Sequence, residues 1–313
     1  LIGKSHPMNQ LRTLIERVAP TNSRVMILGA SGSGKEMVAR AIHAGSARAD
    51  APFVALNAAA ITPDRMEVEL FGTEAPPGVE RKVGALEEAH GGVLFLDEVG
   101  DMPRETQNKI LRVLTEQTFE RVGGSKRVKV DVRIVSSTAQ NLESMIAEGA
   151  FREDLYHRLA VVPVQVPPLA ERRQDIPLLI EAFMTQISEQ TGIKPRAISP
   201  EAMAVLQSSE WPGNVRQLRN NVERLMILSR EGDAETTISA DMLPREVGEM
   251  LPQTPSQSDG QILALPLRDA REVFEKEYLV AQINRFGGNI SRTAEFVGME
   301  RSALHRKLKS LGI

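Results

Sequence analysis

Val25-Met26-Ile27-Leu28 runs directly into Gly29-Ala30-Ser31-Gly32-Ser33-Gly34-Lys35-Glu36, and Met37, Val38 and Ile42 follow at helical spacing. A short apolar run, a glycine-rich turn and an amphipathic stretch predict a strand, a loop and a helix opening at Lys35. Gly29, Gly32 and Gly34 let backbone N–H groups approach phosphate oxygens. The helix N-terminus adds its dipole and Lys35 a point charge. Further along, Val93-Leu94-Phe95-Leu96-Asp97-Glu98 reads as an apolar strand ending in two carboxylates. One can hold Mg²⁺ and the other can polarise a water. The pair points to a nucleoside triphosphate, ATP or GTP. A plain strand–turn–helix corner would account for neither Lys35 nor the Asp97-Glu98 pair. The general phosphate-loop pattern places Ser or Thr after the lysine. Here Glu36 stands there, so either Asp97 and water hold the metal or Glu36 takes part.

The chain has 313 residues, enough for one large domain and something smaller. It has no cysteine, which excludes disulfides, thiol chemistry and Cys-ligated metal, and suits a cytoplasmic location. No apolar run approaches a membrane span, and Leu1-Ile2-Gly3-Lys4 is not a secretion signal. The first residue is not Met, so a piece of a longer protein is expected. His6, His43, His90, His157 and His305 lack metal-ligand spacing and read as capping or surface residues. The net charge is −3, yet from Asn284 onward Arg285, Arg292, Arg301, Arg306, Lys307 and Lys309 face only Glu295 and Glu300. A basic tail on an acidic chain implies a polyanionic partner for the tail.

Strands are predicted at Val25–Leu28, Phe53–Leu56, Val93–Leu96, Val132–Ser136 and Val161–Val166. Helices are predicted at Met8–Val18, Lys35–Ala44, Pro63–Leu70, Arg104–Glu116 and Arg152–Leu159. Alternating strands and helices imply a mostly parallel sheet covered on both faces. Phe119–Val130, turning at Gly123-Gly124, predicts a hairpin set on that sheet. From about Asp175 the pattern is helical: Ile176–Glu189, Pro200–Ser208 and Asn214–Arg230. The stretch from Glu231 to Leu265, rich in Pro, Ser, Gln and acids, reads as a flexible linker. A long helix, Leu267–Arg285, then precedes two short ones, Ser291–Val297 and Arg301–Leu311, joined at Gly298-Met299.

Several motifs stand in an order that resembles the AAA+ bacterial enhancer-binding proteins related to NtrC. They are Gly29–Glu36, Phe53–Asn57, Glu69–Gly72, Leu94–Glu98, Phe119–Gly124, Phe151–Leu155, Trp211–Leu218 and the C-terminal helix-turn-helix. The resemblance covers nearly the whole chain, and Glu36 after the lysine is also what that family carries. It implies an α/β AAA+ P-loop domain (1–172), a helical lid (173–235), a flexible linker (236–265) and an all-α Fis-type helix-turn-helix domain (266–313). It implies ATP/ADP and Mg²⁺ as cofactors. Gly29, Ser31, Gly32, Ser33, Gly34, Lys35 and Glu36 would form the phosphate site, with Asp97 organising Mg²⁺ and Glu98 activating water. Asn57 would hold Glu98 at rest. Arg152 and Arg158 would be arginine fingers on a neighbouring subunit's γ-phosphate, because phosphoryl transfer needs delocalised positive charge there. Their alternative is local pairing with Glu153 and Asp154. Thr138 would belong to the nucleotide site and Arg216, in the lid, would be the second sensor, while Trp211-Pro212-Gly213 reads as loop packing.

The chain departs from the family in two places. Where the family carries a loop close to Gly-Ala-Phe-Thr-Gly-Ala, which grips sigma-54, Thr73–Gly84 is shorter, prolyl and charged, without the aromatic and the threonine. After Thr138 comes Ala139 rather than a polar sensor. With Gly84–His90 and Ile283–Ala294, these features resemble the NtrX-type branch, response regulators paired with NtrY-type sensor kinases in nitrogen and redox control. Such proteins carry an N-terminal phosphoacceptor receiver domain, and no receiver pattern is present here.

The tail can also be read on its own residues. Asn289 is a predicted N-cap, Gly298 gives the turn, and Ala303, Leu304 and Leu308 face inward. Arg301, Ser302, His305, Arg306 and Lys309, with Arg292, form the expected double-stranded DNA face. A small helical cap with merely solvated charges is the alternative. The long helix carries Val273, Leu279, Val280 and Ile283 and resembles the dimer-forming helix of Fis-type domains, which implies a two-fold dimer suited to a palindromic operator. Three functions follow. The first is a DNA-binding transcription regulator whose ATP site controls assembly, as a dimer or higher oligomer. The second is a ring ATPase that activates sigma-54 RNA polymerase. The third is a nucleotide-binding scaffold without turnover.

Overall fold

The structure is a computed structural model that describes residues 1–75, 78, 80–228, 237–244, 246–247 and 265–313. It divides into two compact units, Asn9–Pro167 in one, and Ile2–Met8 with Pro168–Ile313 in the other.

The first unit is built on a five-stranded parallel sheet of β1 (Val25–Leu28), β2 (Phe53–Asn57), β3 (Val93–Asp97), β6 (Arg133–Thr138) and β7 (Val162–Gln165), in the order β2-β3-β6-β1-β7. The central strands β3 and β6 are almost wholly buried and, apart from Asp97 and Arg133, apolar or small, as a sheet covered on both faces requires. Parallel strands need crossovers. These are supplied by α2 (Lys35–Ala44), α3 (Pro63–Phe71), α4 (Ala85–Glu88), α5 (Arg104–Glu116), α6 (Leu142–Ala147) and α7 (Glu153–Leu159). Helix α1 (His6–Val18) turns Leu11, Ile15 and Val18 inward, as its spacing predicts. Arg133, buried at the start of β6, donates to the carbonyls of Val18, Ala19 and Ser23 and so satisfies groups that the end of α1 leaves open.

The predicted hairpin forms between β4 (Thr118–Glu120) and β5 (Arg127–Lys129), but as a separate two-stranded antiparallel sheet rather than an extension of the main one. Its inward residue Phe119 packs against Phe71, ring centres 5.8 Å apart, and Val122 exchanges backbone hydrogen bonds with Gly72 and Glu74.

In the second unit α8 (Ile176–Thr191), α9 (Pro200–Ser208) and α10 (Asn214–Leu228) enclose a core around Trp211. The Trp211 indole N–H donates to the Leu206 carbonyl at 2.7 Å, which fits the reading of Trp211-Pro212-Gly213 as packing. The predicted linker needs correction at its start. Ile238 forms a bridge with Ile198, Val247 is fully buried, and Ser209 donates to the Val247 carbonyl. Residues 237–247 therefore include part of the lid's core, because two apolar side chains in a polar stretch suffice to dock it. Residues 248–264, with Pro252–Gly260, lie outside the described residues.

Candidate nucleotide site and nucleic-acid interface

The strand order decides the first site. β6 lies between β3 and β1, and all three run parallel, so their C-terminal ends converge on one edge of the sheet. That edge gathers the glycine loop after β1, Asp97-Glu98 after β3, and Ser137-Thr138 at the end of β6. Ligands of open α/β sheets bind at such edges. The loop is held at its root by the Gly29 N–H, which donates to the Thr138 carbonyl at 3.3 Å. Gly34 has φ +106, a backbone that a side chain would resist, and it opens α2 with the helix N-terminus on the loop.

Lys35 is 6% exposed, and its Nζ lies 2.9 Å from Glu98 Oε1. It also donates to the carbonyls of Gly29 and Ala30. The second Glu98 oxygen accepts the Ala139 N–H at 2.9 Å. The loop's cation is thus paired with the glutamate expected to act on water. The expected Asn57–Glu98 bond is not formed here. The Asn57 side chain instead accepts the Ala59 N–H and caps the turn after β2. Ala139 has no polar side chain, yet its backbone is what holds Glu98. The Thr138 hydroxyl accepts the Gln140 N–H and shapes the turn after β6. Ser33 is buried and Ser31 exposed within the loop. Glu36 pairs with Arg40 one turn along α2, at 2.7 Å, and not with the Asp97 region.

Asp97 Oδ1 accepts a hydrogen bond from the Ser137 hydroxyl, and Oδ2 accepts none from a described residue. Among the described residues no three acidic or histidine side chains cluster as an all-protein metal cage. One carboxylate with a free oxygen beside a phosphate loop is the donor set that suits Mg²⁺ carried in by a nucleotide.

Arg152 caps α7 rather than lying inside it. Its Nε and Nη2 pair with both Asp154 oxygens, and Nη1 donates to Asn108 at 2.5 Å. This pairing lowers the Asp154 carboxyl to about 2, the hydrogen bond from Arg152 being the main cause. Arg158 is exposed in the last turn of α7. Neither arginine hydrogen-bonds the phosphate loop of its own chain. Arg216 is exposed in the first turn of α10, in the second unit.

The stretch in place of the sigma-54-gripping loop has a closed neck. The Thr73 N–H donates to the Lys82 carbonyl, and the Lys82 N–H to the Thr73 hydroxyl. Gly72 and Gly84 cross so closely that a Cβ on Gly84 would come within 2.3 Å of the Gly72 nitrogen. Arg121 clamps the neck, with Nε and Nη2 on Glu87 at 2.7 and 3.0 Å and Nη1 on Glu74 at 3.0 Å. These bonds raise the Arg121 pKa, and the Arg121 hydrogen bond lowers that of Glu87. Pro76, Pro77 and Val79 lie outside the described residues.

The tail forms three helices, Leu267–Arg285, Ile290–Val297 and Arg301–Leu311. As predicted, the Asn289 side chain caps the second, accepting the Arg292 N–H at 3.1 Å, and Gly298 turns at φ +72. Leu279, Ala294, Leu304, Leu308 and Leu311 make the core, with Ala303 only half-buried. Leu279 and Ile283 are therefore committed to the tail's own core, which corrects the predicted dimer face. The apolar side chains left exposed on the long helix include Leu267, Phe274, Tyr278 and Val280, with Phe274 and Tyr278 stacked. Arg292, Arg301, Ser302, His305, Arg306 and Lys309 are all exposed, and Arg301, Ser302 and His305 line a concave surface with Glu300. Two tail cations are engaged elsewhere. Lys307 pairs with Glu275. Arg285 is buried against the rings of Phe286 and Phe296 and donates to Gln207 of α9 at 3.1 Å. Burial pushes the Arg285 pKa down.

Three family models match in sequence: the sigma-54 interaction domain over residues 1–165, the AAA+ ATPase lid domain over 170–260, and the Fis-family bacterial regulatory protein over 270–311. The nitrogen assimilation regulatory protein NtrX of Azorhizobium caulinodans is 65% identical over all of this chain and 69% of its own length. The DNA-binding transcriptional regulator NtrC of Escherichia coli is 40% identical over all of this chain and 70% of its own. A crystal structure of NtrX from Brucella abortus superposes with a TM-score of 0.91 at 76% identity, covering 99% of this chain and 69% of that one. Another, in complex with ATP, gives 0.87 at 74%, covering 100% of this chain and 70% of that one. With the fold, the phosphate loop and the helix-turn-helix in agreement with them, the chain belongs to the NtrX/NtrC family of AAA+ two-component response regulators.

Proposed function

We propose that this chain binds ATP and ADP with Mg²⁺ at the edge formed by β1, β3 and β6, and binds double-stranded DNA through the helix Arg301–Leu311. It regulates transcription in nitrogen control. The convergence of Lys35, Asp97 and Glu98 at one sheet edge carries the nucleotide half of this reading. Lys35 and the loop N–H groups would hold the phosphates, and Asp97 would hold Mg²⁺. When bound, the ion neutralises phosphate charge. Glu98 must exchange Lys35 for water before it can act as a base. Arg216 serves as the lid's sensor, and Arg152 and Arg158 act across a subunit boundary.

The nucleotide domain would control assembly rather than remodel sigma-54 polymerase. The clamped, charged neck supports this, together with a sequence from Thr73 to Gly84 that carries no aromatic residue. The ring-ATPase reading draws support from the intact Lys35, Asp97 and Glu98 and from the exposed Arg158. The dimer would use the Phe274–Tyr278 face and place two recognition helices about 34 Å apart on a palindromic operator. In the full-length protein, an NtrY-type kinase would act through a receiver domain, in the cytoplasm. Among the described residues no helix is long and apolar enough to cross a membrane.

The DNA half is tested residue by residue. Arg306→Ala is expected to relax sequence preference, costing about 1–3 kcal/mol at one base position. Lys309→Ala is expected to weaken all sequences alike and to lower the salt slope by about one. Gel shifts of the full chain over several salt concentrations read both. Equal loss on specific and random DNA for Arg306→Ala would place that side chain on the phosphate backbone instead.

A further inference from the structure

Three hydroxyls follow one another at the end of β6, and they are used differently. Ser136 donates to the Val25 carbonyl and Thr138 accepts the Gln140 N–H, both ordinary backbone uses. Ser137, fully buried, donates to Asp97 Oδ1 and accepts the Glu98 N–H at 3.3 Å. The sheet register explains why it is the one that reaches. Leu96 of β3 lies opposite Ser136, so residue 137 stands beside the carboxylates that end β3. Glu98 itself has φ +55, a left-handed backbone uncommon for a residue with a side chain. Such a conformation persists when its surroundings hold it, and the Ser137 oxygen is one of its holds.

We propose that Ser137 is a positioning residue for the nucleotide's Mg²⁺. Its hydroxyl fixes Asp97 through Oδ1 and leaves Oδ2 for the cation, while pinning the backbone of Glu98. The proposal rests on the nucleotide reading above. A hydroxyl that served only to satisfy its own burial would leave Mg²⁺ dependence unchanged when removed. One that orients the carboxylate would not, since partners of metal-holding groups typically contribute tenfold or more to affinity for the ion.

The test uses the full chain and ADP, which is not consumed, titrated calorimetrically with Mg²⁺ and with chelator. Wild-type protein is expected to bind ADP more tightly with Mg²⁺. Ser137→Ala should keep its affinity in chelator within about twofold yet lose about tenfold in the presence of Mg²⁺. Ser137→Thr, which retains the hydroxyl, should keep the Mg²⁺ gain. Ser137→Cys, a near-isosteric weak donor, replaces the alanine variant if thermal melts show that variant unfolded, and the same loss is expected. In an Asp97→Ala background, Ser137→Ala should add nothing, because the effect passes through Asp97. A full Mg²⁺ gain in Ser137→Ala, or an additive loss on Asp97→Ala, overturns the proposal. Wild-type binding of ADP without any Mg²⁺ gain overturns it too but leaves the phosphate loop standing, whereas no ADP binding at all removes the nucleotide reading itself.

Discussion

Lys35→Ala is expected to abolish tight binding of ATP and ADP, raising Kd by about 10- to 100-fold, with the protein still folded. The lysine is the charged phosphate contact of the loop, and a hydrogen bond to an ionised group contributes about 1.5–3 kcal/mol. Its removal also frees Glu98, which is 17% exposed, keeps the Ala139 N–H and can be reached by water. That is why a binding defect rather than unfolding is expected, although Lys35 is buried. Calorimetric titration together with a thermal melt reads the two effects separately. Unchanged affinity in a folded variant would remove the site assignment.

Hydrolysis is expected to be weak and to rise more than linearly with protein concentration, because the proposed fingers would act between subunits. Arg152→Ala and Arg158→Ala should each lower the assembled rate by about 10³-fold or more, the lower end of what arginine fingers supply. The two do not start from the same state. Arg152 is tied to Asp154 and Asn108 within its own chain and must leave them to reach a neighbour. Arg158 is exposed, and its electrostatic neighbour Arg24 is a like charge whose pKa is lowered by burial and by Arg158. Arg158 is therefore the readier finger, and Asp154→Ala should release Arg152 rather than impair it. Wild-type rates from both arginine variants, measured across protein concentration, would show that neither side chain is a finger.

What the sequence disclosed, and what it hid, follows from range. The unit Val25–Lys35 was legible because strand, glycine turn and helix start are all local, and Lys35–Ala44 appears with those bounds. Arg104–Glu116 and Pro200–Ser208 were legible from spacing and from their prolines at or before the first turn. Strand order was not, since periodicity says nothing of which parallel strands are neighbours. Only the order β3-β6-β1 reveals that Ser137 reaches Asp97. A signal existed, three consecutive hydroxyl residues ending β6, but the partner of Ser137 is forty residues away. The same limit applies to Arg285, which reads as one more cation of a basic tail until Phe286, Phe296 and Gln207 are seen around it. Ile238 and Val247 show the reverse case. They sit in a polar, acidic stretch that reads as linker, and their burial is decided by the lid they complete. Leu279 and Ile283 belong to the helix that resembles a dimer-forming one, but apolarity alone does not say whether a face packs inward or against a second copy.

The central claim is that this chain couples an ATP site to DNA binding without opening sigma-54 promoters. Open-complex formation in vitro, on a sigma-54 promoter carrying its DNA site, with purified protein, ATP and Mg²⁺, tests it most directly. The account predicts bound nucleotide and bound DNA but no open complexes above the level without protein, because Thr73–Gly84 carries no aromatic residue where the proposed reading expects a gripping loop. ATP-dependent open complexes that disappear with Lys35→Ala would contradict it and establish the ring-ATPase reading in its place.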